Sequence, residues 1–133
     1  MPYLNVRIAQ QESAGVADQV VSALMKRTAE ILGKKSEVTS IEIDFISPDR
    51  WFVGHVRISD QDATTFYLDI KITEGTNTKQ QKAEYIKAVF ADFESILGGV
   101  TPASYIVIHD VSADSWGFEG KTQEYRFINA RSL

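Results

Sequence analysis

The segment Leu4-Asn5-Val6-Arg7-Ile8 returns sixty-four residues later as Leu68-Asp69-Ile70-Lys71-Ile72. Every position keeps its character, apolar for apolar and polar for polar. Ile31-Leu32-Gly33 returns as Ile96-Leu97-Gly98, and Ile41 and Ile43 return as Ile106 and Ile108, at a spacing of 65. One inserted residue reconciles the two spacings. Matches in constant order mark an internal duplication. The chain is thereby restricted to folds built from two copies of one unit.

Each copy reads strand, helix, strand. The two repeated segments alternate apolar with polar, as strands do when one face lies on a core. In the first copy Val20, Leu24, Thr28 and Ile31 fall at helical spacing within about 13–32, and Gly33 stops the run. In the second, Thr78 and Gln81 have capping-box spacing, and Ile86, Val89, Phe90, Phe93 and Leu97 form the stripe expected to be buried. Gly98-Gly99 end it. A strand, a helix of about 20 residues and a second strand make a βαβ unit, with parallel strands and a right-handed crossover.

Two such units predict an α/β fold, a four-stranded sheet with both helices on one face. Leu4, Val6 and Ile8 then face the helices, while Tyr3, Asn5 and Arg7 share the other face with Tyr67, Asp69 and Lys71. A parallel sheet normally has both faces covered. With only two helices available, the second face is expected to pack on another subunit. The 133 residues are expected to form one domain, with repeats at about 2–46 and 66–111. A linking hairpin spans 47–65, and the tail, 112–133, is expected to form a turn and a small hairpin across a neighbouring edge.

Charge and composition exclude several functions. Fourteen Lys and Arg against 18 Asp and Glu leave a net charge of −4, which disfavours nucleic acid and anionic membrane partners. No apolar run is long enough to span a bilayer, and no secretory signal opens the chain, so a cytoplasmic location is expected. The absence of cysteine excludes disulfides, thiolate metal sites and cysteine nucleophiles. His55 and His109 are isolated, and no spacing suggests a metal site. No nucleotide fingerprint or nucleophile elbow occurs, and no cofactor is expected.

Two features carry chemistry. Pro2 precedes the first strand, where a residue without an N–H is tolerated. If Met1 is trimmed, its ring nitrogen becomes a secondary amine. Near the other end, Trp116-Gly117-Phe118-Glu119-Gly120 follows the last strand. Together with the duplicated βαβ pattern, these features resemble the tautomerase superfamily, in particular its fused, double-length members. Ser112-Ala113-Asp114-Ser115-Trp116-Gly117-Phe118 is similar to the matching segment of malonate semialdehyde decarboxylase. Ser47-Pro48-Asp49-Arg50-Trp51-Phe52-Val53-Gly54 is similar in style to that of cis-3-chloroacrylic acid dehalogenase.

The resemblance implies a homotrimer with the N-terminal proline, Pro2, as general base or acid. It implies a tautomerase, an isomerase acting on a small enol or unsaturated carboxylic acid. Hydratase or dehalogenase chemistry on such an acid, or a non-catalytic ligand-binding or structural trimer, are the alternatives. Trp116 and Phe118 are the expected aromatic contacts, and Arg50 and Arg126 the expected cations. Asp114 and Glu119 flank the tryptophan as candidate acid or base.

The chain departs from the family's pattern at its carboxylate clamps. The usual arginines fall at Glu12, Glu42, Thr76 and Tyr105, and the decarboxylase's pair at Glu74 and Thr76. Glutamates near Pro2 would raise its pKa and repel an anion. A ferredoxin-like dimeric α/β barrel, with antiparallel neighbours between its halves, is the architectural rival.

Overall fold

A computed structural model describes residues 1–130. Its elements run β1 (Tyr3–Ala9), α1 (Ala14–Glu30), β2 (Ser40–Ile46), β3 (Phe52–Val53), β4 (Val56–Arg57), β5 (Phe66–Thr73), α2 (Lys79–Leu97), β6 (Tyr105–Val111), β7 (Gly117–Phe118), β8 (Lys121–Thr122) and α3 (Gln123–Ala130). The alternation in β1 and β5 does what its period demands. Leu4, Val6, Ile8, Leu68, Ile70 and Ile72 are fully buried, and they pack on Val20, Leu24, Tyr85, Val89 and Phe93 of the helices.

Local signals set the helix ends. The Ser13 hydroxyl accepts the Val16 N–H at 3.2 Å and opens α1. Thr78 and Gln81 form the expected capping box, with bonds of 3.1 and 2.9 Å. Left-handed Gly98 (φ 77) ends α2. Ile86 is exposed, contrary to the expected stripe; Tyr85, four residues before Val89, takes the buried place. Phe66 stacks on Phe93, with ring centroids 4.0 Å apart.

The sheet order is β2-β1-β5-β6. Within each repeat the strands are parallel, Leu4 against Ile41 and Leu68 against Ile106. Between repeats β1 and β5 pair antiparallel, so the sheet is mixed and not all-parallel. The reason is two-fold pseudosymmetry. A shift of 64 residues carries the pair Leu4/Ile70 onto Leu68/Val6, itself a pair, and turns Asn5/Asp69 into itself. The axis passes through Asn5 and Asp69. An antiparallel junction therefore does not separate this fold from the dimeric barrel. Direct parallel pairing of the two strands inside each repeat is the more telling feature.

The duplication extends past the strands. Trp51 and Trp116 are 65 residues apart, and each opens a two-stranded ribbon, β3–β4 or β7–β8. The Trp51 carbonyl accepts the Ile58 N–H at 2.8 Å, and the Trp116 carbonyl accepts the Gln123 N–H at 2.8 Å. After the ribbons the copies diverge, into a single 3-10 turn at Ile58–Asp60 or into α3. The tail thus holds a helix beyond its expected hairpin, started by Thr122, whose hydroxyl accepts the Tyr125 N–H at 2.9 Å.

Where the helices meet, the Thr28 and Tyr85 hydroxyls lie 2.9 Å apart in the core. Burial drives the Tyr85 phenol up from 10.0 to about 12, opposed by the Thr28 hydrogen bond. Since the folded pKa is raised, that stability is present below pH 10 and lost as pH rises towards 12. In urea titrations, Tyr85→Phe is expected to lower stability at pH 7 by about 1 kcal/mol. The wild-type protein should lose about 3 kcal/mol more than the variant as the alkaline limb is crossed.

Candidate active site

The register places the start of the chain. Tyr3 pairs with Ser40 on one side and Lys71 on the other, and the buried Pro2 accepts the Ser40 N–H through its carbonyl at 3.2 Å. The residues before Tyr3 therefore lie beside the end of β5 and the turn that follows it. A cleft of about 470 Å³ opens there, lined among others by Met1, Lys34, Glu74, Thr76, Gln123 and Phe127. That volume lies in the range of small-molecule sites.

Three loops and a helix supply the walls. Gly33 (φ 69) turns the chain after α1, and the Lys34 N–H returns to the Thr28 carbonyl at 3.2 Å. This aims Lys34 across to the turn after β5, where its Nζ donates to the Thr76 hydroxyl at 2.8 Å. Thr76 in turn donates to the Thr73 carbonyl at 2.6 Å. From the other side α3 brings Gln123, whose Oε1 accepts from the Arg126 guanidinium at 3.1 Å. That bond orients the amide and leaves its buried Nε2 with no hydrogen-bond partner among the described residues.

The electrostatics favour a neutral amine. The terminal ammonium of Met1 titrates below its ordinary 8.0, first because it is half-buried, then because Lys34 and Arg126 repel its charge. Burial also lowers the Lys34 pKa, with Asp110 pulling the other way. Asp110 is itself engaged by Lys82. Lys82 of α2 thus reaches across to β6.

The expected site residues fall into two groups. Pro2 adjoins the Met1 cleft as the next residue of the chain without lining it, and Arg126 acts on the Met1 ammonium from beside the cleft. The Arg126 guanidinium also sits 4.2 Å from the Phe118 ring, in an adjoining groove of about 280 Å³. Trp116 is half-buried behind them and holds Gln123 through its carbonyl. Arg50 is exposed and stands apart. It lines a groove of about 350 Å³ with Arg7, Trp51, Phe52 and Tyr67, where Arg7 pairs with Tyr67 at the other end of the β1–β5 ladder.

The residues at the missing arginine positions also divide. Glu74 and Thr76 line the Met1 cleft. Glu42 lies on the outer sheet face, bound by the Tyr3 hydroxyl at 2.6 Å and the Asn5 amide at 2.9 Å. Glu12 lines another depression, with Asp44 and Phe45, and Tyr105 is 60% exposed. Asp114 is fully exposed and held below the usual carboxylate range by the Ser112 and Ser115 hydroxyls. Glu119 occupies the left-handed turn of the second ribbon (φ 54). Neither of these two acids lines the Met1 cleft.

Lys34 and Gln123 were missed by the sequence reading. The signals were a basic residue directly after the helix-stopping Gly33, and Thr122-Gln123-Glu124 as a helix start. Among the described residues no cluster of three or more metal-binding side chains occurs, and no helix is long and apolar enough to cross a membrane.

Residues 67–125 match the family model described as "Tautomerase enzyme". Among curated proteins none matches the chain. Solved structures match over nearly its whole length. A wild-type fused 4-OT described as an asymmetric trimer shares 19% identity and a TM-score of 0.83, covering 94% of this chain and 98% of its own. Pt0534 inactivated by 2-oxo-3-pentynoate gives 12% identity and a TM-score of 0.82, covering 93% and 98%. A macrophage migration inhibitory factor-like protein from Entamoeba histolytica gives 16% identity and a TM-score of 0.70, covering 91% and 97%. Residues 67–125 thus match the tautomerase family model, and the chain as a whole has the fold of the fused, double-length 4-OT.

Proposed function

We propose that the protein is a tautomerase of small enol or unsaturated carboxylic acids, with Pro2 as general base and then acid once Met1 is removed. The observation that carries this reading is the cleft at the start of β1, which lowers the pKa of the amine it holds. Removal of Met1 would move the free amine one residue inward, to the buried Pro2. Burial, Lys34 and Arg126 then favour its neutral form near pH 7, which is what a base needs. The neutral nitrogen takes a proton from the enol oxygen or an activated carbon. The resulting ammonium returns a proton to a different carbon, so the net change is isomerisation with no cofactor.

The second repeat has no counterpart amine. The position matching Pro2 is Phe66, inside the chain and buried against Phe93, so each chain offers one such site. A homotrimer fits the outward sheet face, where Tyr105 and Val107 are exposed, and the trimeric fused 4-OT of like fold. Lys34 and Arg126 are the charges that shift the terminal amine, which favours catalysis over the non-catalytic alternative, although Glu74 and Glu124 line the same cleft.

Two measurements test the reading. In 2-oxo-3-pentynoate, which inactivates Pt0534, the triple bond is conjugated to a ketone. The Pro2 nitrogen should add to its alkyne carbon while the displaced proton ends on the neighbouring carbon. Intact mass should then rise by the whole reagent, located by peptide mapping to Pro2; labelling elsewhere, or none, counts against the proposal. In protein that retains Met1, NMR titration of the labelled terminal amine should give a pKa below 8.0. Arg126→Gln removes a repelling cation and should move that value upward.

A further inference from the structure

We propose that the groove between the β3–β4 ribbon and the far end of the β1–β5 ladder is a second binding site, for an aromatic ligand whose phosphate monoester is gripped by Arg7 and Arg50. It lies at the Arg7–Tyr67 end of the ladder, whereas the Met1 cleft lies at the Tyr3–Lys71 end. It holds its ligand without converting it.

Charge singles out this groove. The chain carries a net charge of −4, yet three of the five arginines among the described residues, Arg7, Arg50 and Arg57, gather here. None of the three is in an ion pair among the described residues. Arg7 and Arg50 line the groove, and neither side chain donates a hydrogen bond among the described residues. Asp44 stands opposite Arg7 in register and Asp49 precedes Arg50, but neither pairs with them. Asp44 lines a separate depression with Glu12. Arg57 donates from Nε to the Asp49 carbonyl at 3.1 Å and sits 5.0 Å from the Phe52 ring, which adds a third positive charge at the margin. A single carboxylate satisfies one guanidinium fork. A phosphate monoester, with nearly two negative charges and three acceptor oxygens at neutral pH, satisfies two.

The walls define the rest of the ligand. Trp51, Phe52 and Tyr67 offer ring faces in a groove of about 350 Å³, and Phe52 is half exposed. Such faces suit a planar aromatic or heteroaromatic group. The wall is already anchored, since the Trp51 carbonyl accepts the Ile58 N–H at 2.8 Å and Ile58 is buried. No amine stands at this end to react. Phe66 takes the place that Pro2 has in the first repeat, and it is buried against Phe93. Duplication has thus left one end with cations and rings but without the group that moves a proton.

The chain has two tryptophans, Trp51 in this groove and Trp116 behind the Met1 cleft, so their indole N–H resonances report which site fills. In NMR titrations of the full chain, with Trp116→Phe assigning the pair, phenyl phosphate should shift the Trp51 indole to saturation. Inorganic phosphate and phenol each lack half of the ligand and should bind at least about tenfold more weakly. Terephthalate, whose two charges sit at opposite ends of its ring, should also bind more weakly. Arg7→Gln and Arg50→Gln should each weaken phenyl phosphate about tenfold, while Lys34→Met leaves the Trp51 response unchanged. Both arginines are exposed, so these variants should melt with the wild-type protein.

A Trp51 indole that phenyl phosphate leaves unmoved, or a shift confined to Trp116, overturns the site. Unchanged affinity in both arginine variants overturns the grip, and terephthalate binding as tightly as phenyl phosphate overturns the phosphate class. Absent binding, together with a smaller sedimenting species in either arginine variant, would assign the arginines to contact between copies of this chain and overturn the proposal as well. None of these readouts depends on proton transfer at Pro2.

Discussion

The antiparallel ladder between β1 and β5 is the interaction on which the rest depends. It is centred on Asn5 and Asp69, and it joins the repeats by the only strand edges that each leaves free on that side. Because it is antiparallel, the beginning of one strand lies beside the end of the other. The chain's first residues therefore meet the turn after β5, which contributes Glu74 and Thr76. Parallel pairing within the first repeat adds the start of β2 to the same end, close behind Lys34. Had the repeats joined in parallel, the amino terminus would face the start of β5, and no such cleft would form around it.

That placement puts an ionisable terminus in a partly desolvated position among cations. A free amine in water is mostly protonated at neutral pH. Half-burial and two neighbouring cations each disfavour the ammonium, and the same cations would favour an anionic ligand. The proposed proton transfer and an affinity for anions would thus share one physical origin. Pseudosymmetry makes the opposite end of the sheet an imperfect copy of this arrangement. There Phe66 stands in the chain-start position and serves the core, while Arg50, Trp51 and Arg7 form a groove without an amine.

Much of this architecture was legible because it rests on local periodicity. The repeated strand pattern, the Thr78 cap and the Gly98 stop each act within a few residues, and each appears where expected. The direction of the central junction was not legible, since alternation is identical for parallel and antiparallel neighbours. Tyr85 escaped notice because a polar hydroxyl hides its fitness for the core until Thr28 is placed against it. The equivalence of Trp51 and Trp116 was visible at constant spacing, but the residues between them had diverged. Lys34 had only its place after Gly33 to mark it, because its partner Thr76 lies 42 positions away. Arginine positions carried over by resemblance located the cleft through Glu74 and Thr76, though the cation now comes from a different loop.

The measurement that most directly tests the central claim is ketonisation of phenylenolpyruvate by protein whose intact mass shows Pro2 as its first residue. The account predicts a rate well above the buffer background, lost when Met1 is retained and collapsing in Pro2→Ala. A rate that survives either change would show that the amine at the start of β1 does not carry the proton, and would contradict the account.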